Sequence, residues 1–182
     1  SRLPKLHSNL EVALSPPPME QGGEAASASL TSALREAWQK REELHSSTAT
    51  TSAYRLFDGR YEGAEGWTVD RYGEAILLQS FHRGGANEDT LAEIVTFIQS
   101  QLGKSLDFFL KERSVRDSER AVGRRLAGSG PESREIVEDG LRFGVDFLYG
   151  TNTGIFLDAR PLRAWVKRNS EGRRVLNLFS YT

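Results

Sequence analysis

The chain has 182 residues, room for one ordinary domain or two small ones, since domains run roughly 100–200 residues. Its 24 Lys+Arg against 25 Asp+Glu leave a net charge of -1, which excludes a bulk electrostatic attraction to nucleic acid and leaves that task to a local patch. Cysteine is absent, so these residues contain no disulfide framework, thiolate nucleophile or Cys-ligated metal. No run approaches the ~20 apolar residues of a membrane span, and residues 1–28 lack the charged and apolar regions of a secretory signal. The expectation is a cytoplasmic protein with no membrane partner.

Residues 1–28 carry Pro16-Pro17-Pro18, Gly22-Gly23 and a run of Ala and Ser. They bury too little apolar surface to offset their ordering entropy and are read as a flexible extension. Over 29–50 the apolar residues Leu30, Leu34, Trp38 and Leu44 recur near helical spacing among charged neighbours. Ser29 is the expected N-cap of this amphipathic helix, and the polar run Ser46 to Ser52 ends it.

Strand-like runs follow. Tyr54-Arg55-Leu56-Phe57 stops at Asp58-Gly59, Trp67-Thr68-Val69 stops near Tyr72-Gly73, and Ala75 to Phe81 is the strongest of the three. Their short connections predict an antiparallel meander. Asp89 is placed to cap a helix with Leu91, Ile94, Val95, Ile98 and Leu102 on one face, closing at Gly103, and Leu106 to Leu110 then returns to the sheet. The expected fold is α+β, with residues 51–139 forming a central antiparallel-sheet domain that packs one helix.

Glu112 to Arg125 is a charged stretch read as partly helical, ending in a Gly128-Ser129-Gly130-Pro131 break. Leu141 to Leu148 and Thr151 to Leu157, separated by Tyr149-Gly150, are expected to form a hairpin, and Pro161 suits the first turn of a helix through Arg168. Val175-Leu176-Asn177-Leu178-Phe179 has the apolar look of a strand buried on both faces, as in a parallel sheet. A first parallel strand is of little use without its crossover helix, so residues 140–182 are expected to be the opening of a domain that stops before it is complete.

The ordered motifs resemble a known family. The run Arg174 to Phe179 followed by Ser180-Tyr181-Thr182 resembles the first strand and cofactor loop of Rossmann-like methyltransferases. Before it come Gly140-Leu141-Arg142-Phe143-Gly144-Val145-Asp146 and Thr153-Gly154-Ile155-Phe156-Leu157-Asp158-Ala159-Arg160. Upstream lie Tyr54-Arg55-Leu56 and Gly66-Trp67-Thr68-Val69-Asp70-Arg71-Tyr72-Gly73. Together they resemble the family of large-subunit ribosomal RNA methyltransferases that includes the cytosine-C5 and guanine-N7 enzymes, over roughly Ala53 to Thr182. That resemblance implies S-adenosyl-L-methionine as cofactor, a ribosomal RNA base as substrate, an RNA-facing central domain and an RNA-modifying transferase active only when its catalytic domain is whole. A homodimer is a candidate assembly.

The same resemblance implies that Phe156, Asp158, Arg160, Asn177, Phe179, Ser180, Tyr181 and Thr182 contact the cofactor. Arg160 would pair with the cofactor carboxylate through a charge-assisted contact; its plain reading is a salt bridge to Asp158 or a helix-terminus charge. Phe156 reads equally as a core side chain. The family commonly places a polar residue where Ala159 stands, so any side-chain hydrogen bond from that position is lost. Arg113 and Arg116 occupy the place of the family's Arg-containing connector. With Arg120, Arg124 and Arg125 they are candidate phosphate contacts, although Glu112, Asp117 and Glu119 interleave with them as on a solvated helix face. Trp67 and Tyr72 offer base stacking but on strands read first as sheet packing. The three histidines lack ligand spacing, so no metal is expected, and no catalytic residue, dyad or triad is identified. Two other readings compete with the methyltransferase: a non-enzymatic α+β adaptor binding RNA or protein, and a different Rossmann-like enzyme with a nucleotide cofactor.

Overall fold

The structure, a computed structural model, describes residues 29–46, 50–103, 105–113, 123–150 and 152–177. Helix α1 (Leu30–Gln39) opens on Ser29, whose side chain accepts from the Ser32 N–H, as the sequence predicts. The helix does not run on to residue 50. It breaks at Lys40-Arg41, where the Arg41 guanidinium turns back to the Ala37 carbonyl and out to Glu62 and the Arg55 carbonyl, and a short α2 (Glu42–Ser46) follows.

A five-stranded sheet comes next, in the order β1 (Ala53–Asp58), β2 (Trp67–Tyr72), β3 (Ala75–Ser80), β4 (Asp107–Glu112), β5 (Arg124–Ala127). The expected antiparallel meander holds for β1–β2–β3, with the four-residue helix α3 (Gly59–Glu62) at the Asp58-Gly59 turn. A Cβ on Gly59 would overlap the Ala64 carbonyl oxygen, so only glycine fits that close approach. The sheet is nevertheless mixed. α4 (Glu88–Leu102) lies between β3 and β4 and carries the chain back to the starting end, so β4 runs parallel to β3. The cap of α4 is also displaced from the sequence reading: Asn87, not Asp89, accepts from the Thr90 N–H.

Strand alternation gives the sheet two different faces. Val69, Ile76, Leu78, Phe108 and Leu110 turn towards α1 and α4, which supply Leu34, Leu91, Ile94 and Ile98. Strand β1 feeds the same core with both Leu56 and Phe57, because a bulge between Arg55 and Phe57 breaks the alternation and returns Asp58 to the side of Arg55. The opposite face is apolar over only half its area: Ala53, Tyr72, Ala75, Leu77 and Phe109 form a second core with Ile136, Val145 and Phe147.

Ile136 and Val145 come from a separate two-stranded sheet, β6 (Ser133–Glu138) and β7 (Leu141–Asp146), and Phe147 follows directly after β7. This corrects the expected hairpin. The partner of β7 lies upstream, joined through Asp139-Gly140 with φ of 48° and 80°, the two positive values a tight two-residue hairpin turn requires. Thr151 to Leu157 is not a strand: among the described residues 152–156 are irregular and lead through a single 3-10 turn, Leu157–Ala159, into α5 (Arg160–Asn169), with Pro161 in its first turn. Residues 124–127 are a strand rather than part of a charged helix. Residues 174–177, the described portion of the expected last strand, carry no strand pairing, and Val175 and Leu176 are exposed. An apolar run becomes a strand only with neighbouring strands to pair with, and residues 174–177 belong to no described sheet.

The apolar stripe of α4 thus has the role its spacing predicts. Ile94 is fully buried between helix and sheet, so Ile94→Ala is expected to lower unfolding stability by about 2–5 kcal/mol, read from chemical denaturation curves. A variant within about 0.5 kcal/mol of the parent would show that the site is not close-packed.

Candidate functional site

Beyond the second core, the same sheet face becomes polar. Arg55 on β1 donates through Nε and Nη2 to the two oxygens of Asp70 on β2, at 2.8 and 3.3 Å, and through Nη1 to Asp58 at 3.0 Å. Gln79 on β3 donates to Asp70 at 3.1 Å. Burial pushes the Asp70 carboxyl up, and the Arg55 and Gln79 hydrogen bonds pull it back towards ionisation. A planar guanidinium is the cation that satisfies two buried carboxylate oxygens at once. Asp70, which has no visible partner in the sequence, is thus the acceptor at the centre of a cross-strand network.

Lys111 on β4 and Arg113 just past its end continue the polar face. Lys111 is only 2% exposed, and its ammonium donates to the carbonyls of Tyr149 and Gly150 at 3.3 and 3.1 Å. Burial pulls it down from 10.5 to about 8, with Asp146 opposing the shift. Arg113 is half-buried and is likewise lowered by burial.

The segment 152–158 crosses this face. Thr153 shares a 3.0 Å hydrogen bond with the Tyr72 hydroxyl, Ile155 joins the second core, and Phe156 and Asp158 are left at the edge of a groove. A small cavity of about 150 Å³ lies over Arg55, Asp70, Gln79 and Arg113 with Phe156 and Asp158 on its wall. It shares Arg55, Phe81 and Asp158 with a larger groove of about 880 Å³ running along α3 and the ends of β2 and β3. Phe156 is 39% exposed rather than a core residue, and among the described residues Asp158 makes no hydrogen bond or ion pair. An exposed ring two residues from an unpaired carboxylate suits a nucleoside, the ring packing on the base and the carboxylate accepting from ribose hydroxyls.

Arg160 points elsewhere. Its guanidinium donates to both oxygens of Asp139 in the β6–β7 turn, at 2.7 and 3.3 Å, and to the Thr51 hydroxyl. Its plain reading as a salt bridge to Asp158 does not hold: the side chain reaches back across α5's first turn to the hairpin. Arg163, one helical turn on, grips Glu138 with two bonds of 2.7 and 2.8 Å, and Glu138 is 2% exposed. These two clamps fix α5, and the segment leading into it, against the hairpin. Arg163 and Glu138 were not singled out from the sequence. The i, i+3 spacing of Arg160 and Arg163 on one helical face was the signal available.

The expected phosphate-binding series divides. Arg125 stacks over the Phe109 ring at 4.7 Å and pairs with Asp107 and Glu132, and Arg124 pairs with Glu88. Both are strand side chains tied to acidic neighbours. Of the described members of the series, Arg113 lines the cavity of Asp158 and Arg124 and Arg125 do not. Arg116, Arg120, Phe179, Ser180, Tyr181, Thr182 and the extension 1–28 lie outside the described residues. Asn177 is the last described position and is exposed. Trp67 and Tyr72 are buried in the sheet, as their plain reading has it.

Two measurements follow from these contacts. Arg160 holds the Asp139 carboxyl below its usual range, so the pair stabilises above about pH 4 and is lost as pH falls through the depressed value. Arg160→Ala is expected to cost about 1–2 kcal/mol near neutral pH, discounted for partial exposure, and Arg160→Lys to restore part of it. An unaltered thermal midpoint in Arg160→Ala would remove the clamp. For Lys111 the slope has the same sign but lies in an alkaline window, because here it is the charged form that burial disfavours. The unfolded chain keeps the proton that the folded one has lost between about pH 8 and 10.5, so stability rises with pH in that window. Thermal melts from pH 8 to 10 should show the rise, and Lys111→Met should flatten it; the same rise in both proteins would count against a depressed Lys111.

Known proteins place this geometry. The profile of S-adenosylmethionine-dependent methyltransferases matches residues 71–182. The ribosomal RNA large subunit methyltransferase I of Erwinia tasmaniensis is 35% identical over 133 residues, 71% of this chain and 33% of that protein. The protein of the same name from Citrobacter koseri is 34% identical over 159 residues, 84% of this chain and 38% of the relative. A solved candidate methyltransferase complexed with S-adenosylhomocysteine superposes with a TM-score of 0.65 at 28% identity, covering 77% of this chain and 35% of that one. The chain spans about a third of the length of these relatives. With more than half of its residues inside the family profile and the mixed sheet shared with a methyltransferase of known structure, the chain belongs to the S-adenosylmethionine-dependent methyltransferase family.

Proposed function

We propose that the protein to which this sequence belongs transfers a methyl group from S-adenosylmethionine to a base of large-subunit ribosomal RNA. The observation that carries this reading is the agreement between the family match over 71–182 and relatives at 34–35% identity whose names specify that RNA. The polar groove supports it, since it sets an exposed ring and an unpaired carboxylate beside a cross-strand arginine network.

In this reading Phe156 packs against the adenine or ribose, Asp158 accepts from ribose hydroxyls, and Asn177 with Phe179, Ser180, Tyr181 and Thr182 completes the cofactor contacts at the first strand of a Rossmann-like domain. Arg160 acts on that site by anchoring α5 to Asp139, which fixes where Asp158 is presented. The cofactor supplies an electrophilic methyl carbon on a sulfonium. The chain's own part is to hold the nucleoside end, orient it and exclude water around it. The target atom is cytosine C5 or guanine N7. The first normally requires a cysteine nucleophile, which these 182 residues do not contain, and the second requires none. The central domain, residues 51–139, faces the RNA. A homodimer in the cytoplasm completes the proposal; among the described residues no helix is long and apolar enough to cross a membrane.

The test is transfer of a radiolabelled methyl group from S-adenosylmethionine to unmethylated large-subunit ribosomal RNA by the full-length protein, with mass spectrometry of digested nucleosides to identify the base. Asp158→Ala is expected to weaken cofactor binding about tenfold or more in calorimetric titration, as for loss of a charge-assisted hydrogen bond. Absence of transfer to ribosomal RNA, with cofactor bound normally, would refute the substrate assignment.

A further inference from the structure

The larger groove contains side chains that neither the fold nor the cofactor reading uses. It runs along α3 and the ends of β2 and β3 and holds about 880 Å³, enough for a small ligand or a nucleotide-sized group. Tyr61 and Phe81 line it and are 79% and 48% exposed. Two large rings left open to solvent on one groove are unusual beside a sheet that buries its other aromatics. Arg60 lies over the Tyr61 ring at 5.7 Å, a cation–π arrangement that occupies one face of the ring. Arg83 and His82 line the groove as well.

The groove is also structured from below. Gly66, with φ of 89°, lies directly beneath His82: a Cβ there would overlap the imidazole. The same ring leans on Trp67, centroids 5.8 Å apart. The histidine is therefore seated over the groove by a bare backbone and a buried indole. Thr68, also in the lining, is 7% exposed, and its hydroxyl has no hydrogen-bond partner among the described residues. A buried hydroxyl without a partner costs free energy.

We propose that this groove binds single-stranded RNA, with a base stacked on Tyr61 and Phe81 and the backbone phosphates beside Arg60 and Arg83. The inference rests on the reading of the protein as an RNA methyltransferase and adds the surface that grips the strand next to the target. Aromatic faces accept any base, and neighbouring arginines supply the salt-dependent part of the affinity. The carboxylates in the lining fit the same occupant. Asp58 shares the Arg55 guanidinium with the buried Asp70, Asp158 stays with the cofactor, and Glu65 lines the groove where it can accept from a base amino group rather than meet phosphate. A duplex keeps its bases stacked internally and offers no face to the two rings, so the groove discriminates by strandedness. Its shared wall with the Asp158 cavity leads the strand towards the cofactor segment.

Fluorescence anisotropy tests this with the purified protein, a fluorescein-labelled single-stranded RNA dodecamer and the same RNA as a duplex. The single strand is expected to bind more tightly than the duplex. Replacing both rings (Tyr61→Ala with Phe81→Ala) should weaken single-strand binding roughly 10- to 100-fold with little change in the thermal midpoint. Arg60→Ala and Arg83→Ala should each lower the salt dependence by about one phosphate contact. Unchanged affinity in the double variant, a preference for duplex, or no binding by the parent protein would each overturn the groove assignment. Methylation separates the two levels. Ribosomal RNA methylated at the parent rate by the full-length double variant would reject the groove and leave the methyltransferase reading intact, whereas failure of the unsubstituted enzyme in that assay rejects the substrate itself.

Discussion

The arrangement around the groove depends on two neighbouring carboxylates at one hairpin turn. Glu138 and Asp139 end β6, and each is held by two nitrogens of an arginine from α5, Arg163 and Arg160. An ion pair in which one member is nearly fully buried adds little net stability over an apolar pair of the same shape, but it is costly to break and it specifies geometry. Both groups must be satisfied, and only one placement of α5 does so. That placement sets the 3-10 turn ahead of the helix and thereby the positions of Phe156 and Asp158. The apolar surface of α5 contributes little to the anchoring, since Leu162 and Trp165 are exposed.

The sheet supplies the complementary constraint. One face is a continuous apolar surface covered by two helices, and it carries the burial that stabilises the fold. The other face divides along the strands. Residues nearest the β6–β7 hairpin are apolar and covered; those farther along are Arg55, Asp70, Gln79, Lys111 and Arg113. Charged groups are placed on a sheet face only where they are mutually satisfied or meet a ligand. Asp70 is satisfied within the network, and Lys111 by the Tyr149 and Gly150 carbonyls. The β1 bulge is part of the same device, since it places Asp58 beside Arg55 without removing Phe57 from the core.

Much of this was legible in the sequence, and the failures have identifiable causes. Strands β1 to β4 and α4 follow from strong local patterns, period two for the strands and an i, i+3, i+4 stripe for the helix. The parallel direction of β4 follows from α4, because a helix between two strands carries the chain back to the starting end; the antiparallel expectation has the helix but not this consequence. Strand β6 was missed because Ser133-Arg134-Glu135-Ile136-Val137-Glu138 has two apolar residues in six and sits at the edge of a small sheet. Asp139-Gly140 is itself a two-residue hairpin-turn signal, which the hairpin expected at Tyr149-Gly150 does not use. The site was legible in part. The Phe156–Asp158 segment was marked by its resemblance to a family, whereas Arg55, Asp70 and Gln79 are brought together by cross-strand register, which no single stretch of sequence displays.

The buried Lys111 shows how the two halves of the structure communicate. Its ammonium is held on the floor of the sheet and donates to the carbonyls at the turn that begins the 152–158 segment. Desolvation works against its charge, and the two carbonyl acceptors and Asp146 work for it. The outcome is a cation poised near the upper edge of neutral pH, where a modest change in its surroundings alters its protonation. Loss of that proton leaves two N–H groups for the two carbonyls but removes the charge that Asp146 favours. The segment that presents Phe156 and Asp158 is thus anchored at its far end by two arginine–carboxylate pairs. At its near end the Lys111 ammonium holds the Tyr149 and Gly150 carbonyls, so both ends of the segment are fixed by a cation from a neighbouring element.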